Sequence, residues 1–333
     1  MAAKGIAGVH FDSRESAMNA DKAPRLLAIG GAHPDRRGRL NAPHIPATSN
    51  PGRMSEEVGG GIFNAARIAS RRGAAVSLMS LRGGDAAGSA VARAIEDAGF
   101  EDLSATFLDR ATPSYTAILD HDGELITGFA DMALYDTAFP KQMRRSKARH
   151  AAEQADAILC DANMPEDAVA RLAEIRAGAP LYAIAVSPAK AGRLTASFPQ
   201  IAVLFMNVRE ARSLAGLDDE AALPRAIEAL RALGLSAGVI TGGGGSVMIF
   251  TPEGLWQITP PRIEEIVDVT GAGDALTGAT LTALMRGTPL PQAVREGVAA
   301  SGLVIASASA APEFDDNAFL AALERVPAPQ PVS

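Results

Sequence analysis

The string Asp268-Val269-Thr270-Gly271-Ala272-Gly273-Asp274 sets a carboxylate directly after three small residues, at the start of a long apolar segment with helical spacing. Small residues let a backbone approach a ligand closely. The first turn of a helix offers unpaired N–H groups and a partial positive charge to an anion. A carboxylate beside such a nest can accept the proton of a hydroxyl that attacks an arriving phosphoryl group. The same residues also suit a tightly packed helix cap without chemistry, and the string alone leaves both readings open.

Four further strings carry groups of the right kind. Gly59-Gly60-Gly61-Ile62-Phe63-Asn64 combines glycine amides with a carboxamide, which can donate to and accept from a polyol, or simply opens a helix. Asp35 follows Gly30-Gly31-Ala32-His33-Pro34 and could accept two adjacent hydroxyls, or be an ordinary loop acid. Asn207-Val208-Arg209-Glu210 has the spacing of a helix N-cap with a capping box, and also supplies oxygen groups of the kind magnesium prefers. Thr241 is followed by Gly242, Gly243, Gly244 and Gly245, a glycine run long enough to be a mobile loop.

Other chemistries are excluded by what the chain lacks. There is no Gly-x-x-x-x-Gly-Lys-[Ser/Thr] string and no Gly-x-Gly-x-x-Gly after the first strand-like run, which argues against a P-loop enzyme and a dinucleotide-dependent dehydrogenase. Cys160 is the single cysteine, so an internal disulfide and a cysteine zinc site are ruled out, and a reducing cytoplasm fits. The five histidines never fall at metal-ligand spacing and read as loop or surface residues. The formal charge is −7, and the one basic stretch, Lys141 to Arg149, reads as the solvated face of a helix, so no nucleic-acid partner is expected. No apolar run reaches the ~20 residues that a bilayer crossing needs, so no membrane partner is expected either.

With 47% apolar and 21% charged residues, the 333-residue chain has ample material for a packed core. Apolar runs alternating with helical patterns predict repeated βαβ units and a mainly parallel sheet. Strands are expected at 25–29, 75–81, 155–159, 181–186, 201–205 and 237–241, a late hairpin at 247–250 and 255–258, and helices at 61–72, 85–98, 272–286 and 291–309. Two stretches break the rhythm, 36–57 with Pro43, Pro46 and Pro51, and 114–130 with turn residues His121, Asp122 and Gly123; both suit a small β lid. Residues 1–22 read as a flexible leader, 23–325 as one α/β domain with the lid, and 326–333, with three prolines, as a flexible tail.

Over roughly residues 25–310 these strings together resemble the ribokinase-like, or PfkB, family of carbohydrate and nucleoside kinases. The resemblance implies a three-layer α/β fold with a mainly parallel central sheet and a small β lid, which often pairs two subunits into a homodimer. It implies ATP and Mg2+ as cofactors, Asp274 as catalytic base, and Gly271, Ala272 and Gly273 as anion hole. Asp35, Gly59, Gly60 and Asn64 would hold a small-molecule nucleoside or sugar. Asn207, Thr241, Gly243 and Gly245 would lie along ATP, Glu210 would organise magnesium through water, and Asp268 and Thr270 would line a monovalent-cation site for K+. Two positions depart from the family pattern: Ile62 stands where a small residue is usual and Ser301 where many relatives have an adenine-side Asn. The strings Ser49-Asn50-Pro51-Gly52, Gly123-Glu124-Leu125 leading to Ala130-Asp131-Met132, Asp161-Ala162-Asn163-Met164-Pro165 and Ala185-Val186-Ser187-Pro188-Ala189-Lys190 look more like pseudouridine kinases than like ribokinase or fructokinase. Transfer from ATP to the 5′-hydroxyl of pseudouridine is therefore the expected reaction, with a ribose, fructose or adenosine type of kinase, or a catalytically silent ligand-binding relative, as alternatives.

Overall fold

The computed structural model describes residues 22–332, so all but Lys22 of the expected leader lies outside the described residues. Arg25–Ile29 is flanked in parallel by Ala75–Met79 and Ala157–Asp161. Its side chains alternate between two cores: Leu26 and Ala28 pack into one, Leu27 and Ile29 into the other. Ala157 and Leu159 against Ile158 and Cys160 repeat the pattern, which is why these strands read as unbroken apolar runs. Outward from Ala157–Asp161 follow Leu181–Ile184, Ile201–Asn207 and Gly238–Thr241, all parallel, and Glu101–Asp102 extends the opposite side.

The antiparallel strands Val247–Thr251, Gly254–Ile258 and Gln330–Pro331 complete a ten-stranded sheet. The last of these corrects the expected loose tail. Gln330 pairs with Gln257, Pro331 with Trp256, and the Val332 N–H donates to Leu255 O at 2.9 Å. Without it, Gly254–Ile258 would present unpaired polar groups at a sheet edge, and alternate prolines leave donors on every second residue of an extended edge strand.

Helices Gly61–Arg71, Ala86–Asp97, Ala272–Met285, Leu290–Ile305 and Asp316–Arg325 cover one face; Ala133–Gln142, Ser146–Gln154, Glu166–Ile175, Val208–Leu214 and Leu223–Ala232 cover the other. The fold is thus the expected three-layer, ribokinase-like arrangement. Among the described residues no helix is long and apolar enough to cross a membrane. The basic stretch 141–149 falls on two helices, and Lys141, Arg144, Arg145, Lys147 and Arg149 are all exposed. The helix expected over 291–309 ends at Ile305, because the Ser307 and Ser309 hydroxyls accept from the backbone N–H groups of Ser309 and Ala311 and favour turns.

A second, four-stranded sheet stands apart in the order Gly52–Gly59, His33–Leu40, Ser114–Leu119, Leu125–Asp131. Its central pair is parallel and its outer pairs antiparallel. This is the lid, reaching three residues further towards the main sheet at His33 and two further at Gly59 than the irregular stretch suggested. Chain order reverses between Arg25–Ile29 and Ala157–Asp161, since the chain leaves the first strand towards Ala75–Met79 and the second towards Leu181–Ile184. Open parallel sheets bind ligands beyond the carboxyl ends of strands at such a switch point, which here is where Gly30, Gly31, Asp161 and Asn163 lie.

Candidate active site

Asp274 sits in the first turn of Ala272–Met285, after Gly271 in the left-handed conformation at φ 79°. A side chain at Gly271 would meet the Ala310 carbonyl, so the turn needs glycine for its fold and its contact alike. The Ala272 N–H makes a long bond to Val269 O at 3.3 Å, whereas the Gly273 and Asp274 N–H groups donate to no group among the described residues. Together with the helix dipole, those free amides make an anion-binding end. Asn64 Nδ2, from the first turn of Gly61–Arg71, donates to Asp274 Oδ2 at 3.0 Å, and Asn64 Oδ1 is buried without a donor. Burial pushes the Asp274 carboxyl up to about 7, against the Asn64 hydrogen bond and with help from the charges of Asp35, Asp161 and Glu210. Such a group can both take and release a proton near neutrality.

The residues expected on the substrate side converge on the same place. Gly60 caps the Gly61–Arg71 helix at φ 104°, and a Cβ on it would stand 2.5 Å from Gly31 O. Gly59 lies against the Asp35 carboxylate, and Gly61 faces Asp274 Oδ1, 3.3 Å from where its Cβ would be. Ile62, the departure from the family pattern, is fully buried and packs against Gly30, where a Cβ would stand 2.6 Å from its Cγ1. Asp35 occupies the lid strand, with Oδ1 3.4 Å from His33 Nε2.

The histidine reading needs correcting at His33. It is 4% exposed, its Nδ1 lies 3.3 Å from the Tyr135 hydroxyl, and that hydroxyl is tied to the backbone of Ala32. The chain Tyr135, His33, Asp35 therefore holds the lid carboxylate in place. Tyr135 belongs to no motif and no local spacing marks it.

Asp161, Asn163 and Lys190, which come from two separate strings of the sequence, form a connected set. The buried Asp161 carboxylate accepts from Gly31 N at 3.1 Å, Asn163 N at 3.0 Å and Asn163 Nδ2 at 2.8 Å; Asn163 Oδ1 accepts from Lys190 Nζ at 2.7 Å. Burial raises the Asp161 carboxyl and lowers the Lys190 ammonium from their ordinary values. Val186, just upstream of Lys190, takes φ 67°, a strained conformation for a β-branched residue that persists where surroundings impose it.

On the nucleotide side, Asn207 and Glu210 form a reciprocal capping box: the Glu210 N–H donates to Asn207 Oδ1 at 2.9 Å and the Asn207 N–H to Glu210 Oε2 at 2.8 Å. Burial raises the Glu210 carboxyl. Glu210 is near enough for its charge to act on Asp274, so the cap and an approach to a magnesium-bound phosphate are compatible. Of the carboxylates whose charges bear on Asp274, Glu210 supplies oxygen of the kind magnesium prefers. Thr241 ends its strand with its hydroxyl 3.5 Å from Met206 O, and Gly242 to Gly245 turn back through a Gly245 N–H to Gly242 O bond. Side chains at Gly243, Gly244, Gly273 and Gly302 would meet nothing within 4 Å, which leaves an open floor. Gly245 closes the turn instead, with Gly242 O 3.4 Å from its Cβ position. Ser301 donates to Ala272 O at 2.6 Å and so props the anion-binding turn.

Asp268 and Thr270 do not fit the expected monovalent ion. Asp268 Oδ1 accepts from the Thr270 N–H at 2.8 Å and Oδ2 from Arg37 Nη1 at 2.5 Å, so a guanidinium already neutralises the carboxylate.

Residues 35–317 match the sequence model of the pfkB family of carbohydrate kinases. A carbohydrate kinase from Agrobacterium tumefaciens is 43% identical and superposes with a TM-score of 0.81 over 93% of this chain and 100% of that one. Pseudouridine kinase of Escherichia coli strain K12 is 26% identical over 285 residues, covering 84% of this chain and 90% of that protein. Arabidopsis thaliana ribokinase complexed with ribose and ATP shares the fold, with a TM-score of 0.79 at 20% identity over 91% of this chain and 99% of that one. The chain belongs to the pfkB family of carbohydrate kinases and is a phosphotransferase that acts on a hydroxyl group of a sugar or nucleoside.

Proposed function

We propose that this kinase transfers the γ-phosphoryl group of ATP to the 5′-hydroxyl of pseudouridine, yielding pseudouridine 5′-phosphate and ADP. The observation that carries the phosphotransfer reading is the Asp274 carboxylate, held by Asn64 beside two helix N-terminal amides that donate to no group among the described residues, with desolvation pushing the carboxyl up to about 7. As the acceptor oxygen bonds to the γ-phosphorus and the bond to the β-phosphate oxygen breaks, Asp274 takes the hydroxyl proton. The Gly273 and Asp274 amides, with Gly271 and Ala272 shaping the turn, receive the negative charge on the transferring group. Asp35, Gly59, Gly60 and Asn64 orient the acceptor; Asn207, Thr241, Gly243 and Gly245 border the nucleotide. Magnesium, when bound, screens the phosphate charge, and Glu210 with Asn207 would hold its water shell.

Pseudouridine as acceptor is supported by the likeness to the E. coli enzyme, and the Lys190 ammonium, which gives one proton to Asn163 Oδ1, has further donors suited to base carbonyls. A sugar acceptor is the second reading, favoured by the 43% identical Agrobacterium carbohydrate kinase. A coupled ADP-release screen over pseudouridine, uridine, adenosine, ribose and fructose decides: pseudouridine should give the highest kcat/KM, and a higher value for ribose or fructose would transfer the assignment. An ATP-consuming enzyme with one buried thiol suits the cytoplasm. The lid, exposed along Met54, Leu125 and Phe129, suits a homodimer interface.

A further inference from the structure

Arg37 crosses from the lid to the turn that precedes the anion-binding helix, a contact between residues 231 apart in sequence. Its guanidinium donates to Asp268 Oδ2 and lies 3.4 Å from Glu57 Oε1 on the neighbouring lid strand. The Arg37 and Asp268 side chains are only 24% and 29% exposed. Despite the opposing effect of desolvation, hydrogen bonds from Thr270 and the Arg37 charge hold the Asp268 carboxyl below the usual carboxylate range. Behind Asp268, the Val267 and Asp268 N–H groups donate to Ile305 O, so the acid stands on a fixed base.

His33, Asp35 and Arg37 are alternate residues of one strand, and alternate side chains share a face. The lid face that presents Asp35 to the acceptor therefore also carries the guanidinium.

We propose that Arg37 does, from within the chain, what a monovalent cation at Asp268 and Thr270 would do: it neutralises Asp268, fixes the Val269 to Gly273 turn, and latches that turn to the lid. Arg37 is thus a positioning residue, whose contact forms only with the lid down and so couples acceptor enclosure to the shape of the anion-binding turn. With Oδ2 of Asp268 accepting from the Arg37 guanidinium and Oδ1 from the Thr270 N–H, a small alkali ion finds no free carboxylate oxygen and would have to break a hydrogen bond to bind. The proposal rests on the phosphotransfer reading but not on the identity of the acceptor.

Two measurements test it. In the wild-type enzyme, replacing KCl by choline chloride at constant ionic strength should change neither the melting temperature nor the rate with the best acceptor from the screen; activation or thermal stabilisation by K+ over choline would overturn the proposal. In Arg37→Met, amide hydrogen exchange should quicken both in residues 33–40 and in residues 268–273. Its kcat should fall about tenfold, with partial recovery on adding guanidinium ion. Unchanged exchange at 268–273 in a folded Arg37→Met protein would overturn it. Exchange and melting need no turnover, so a failure of the kinase assignment would show up separately, as no ADP release with any acceptor.

Discussion

A carboxylate that must take a proton from an alcohol is most useful when its own affinity for that proton lies near the working pH. Burial brings Asp274 there, to about 7. Because the ionised form is the base, the rate should rise with pH through that value. We expect kcat/KM for the acceptor to fall about tenfold per pH unit below pH 7, with a plateau above, when measured from pH 5.5 to 9. Asp274→Asn keeps the shape and the Asn64 contact but removes the base, and should lower kcat by about 10² to 10⁴-fold with an unaltered circular dichroism spectrum; a rate within threefold of wild type would refute the assignment. Asp35 is held by His33 on the lid strand to which the proposed reading gives the acceptor. Asp35→Ala should therefore raise the acceptor KM far more than the ATP KM, and equal changes would place Asp35 elsewhere.

The elements that set these distances are two helices and a strand end. Gly61–Arg71 brings Asn64 to Asp274, and the Thr282 hydroxyl donates to Ala69 O at 3.3 Å where the two helices touch. Gly60 fixes where the first helix starts. Alanine there would take on a positive φ and a Cβ 2.5 Å from Gly31 O. Gly60→Ala should cost about 2–4 kcal/mol in urea unfolding and weaken acceptor binding with it. Both helices were legible in the sequence, because glycine at the entry and apolar spacing are local signals. The capping-box reading of Asn207 and Glu210 was legible as well: the structure makes them a reciprocal helix cap. The stop of Leu290–Ile305 was not legible, because serine turns within 307–311 compete with a helix that propensity alone would extend.

At the scale of the molecule, the lid is a single four-stranded sheet set apart from the ten-stranded one. Arg36 pairs with Glu56 across it, while Met54 and Phe129 remain 60% and 67% exposed. We expect light scattering to give a dimer, and the double substitution Met54→Glu with Phe129→Glu to give a monomer that still unfolds cooperatively; a wild-type monomer at high concentration would rule the lid interface out. The C-terminal strand makes a complementary point. Gln330–Pro331 looked loose because three prolines in eight residues argue against helix and central strand, yet an edge position accommodates them.

By itself, the sequence determined the layered α/β class, the small-residue turn at Gly271 to Asp274 that opens a helix, the glycine entry at Gly59 and Gly60, and the family. Each is written in short-range spacing: two-sided apolar strands, helix starts, and small residues where a backbone must come close. Only the tertiary structure decided that Asn64 holds Asp274 from 210 residues away, that Tyr135 and His33 stand behind Asp35, and that Arg37 takes the charge of Asp268. Those pairings depend on strand order and on how two helices and a lid pack, and no local pattern of residues encodes a contact whose partners meet only once the chain has folded.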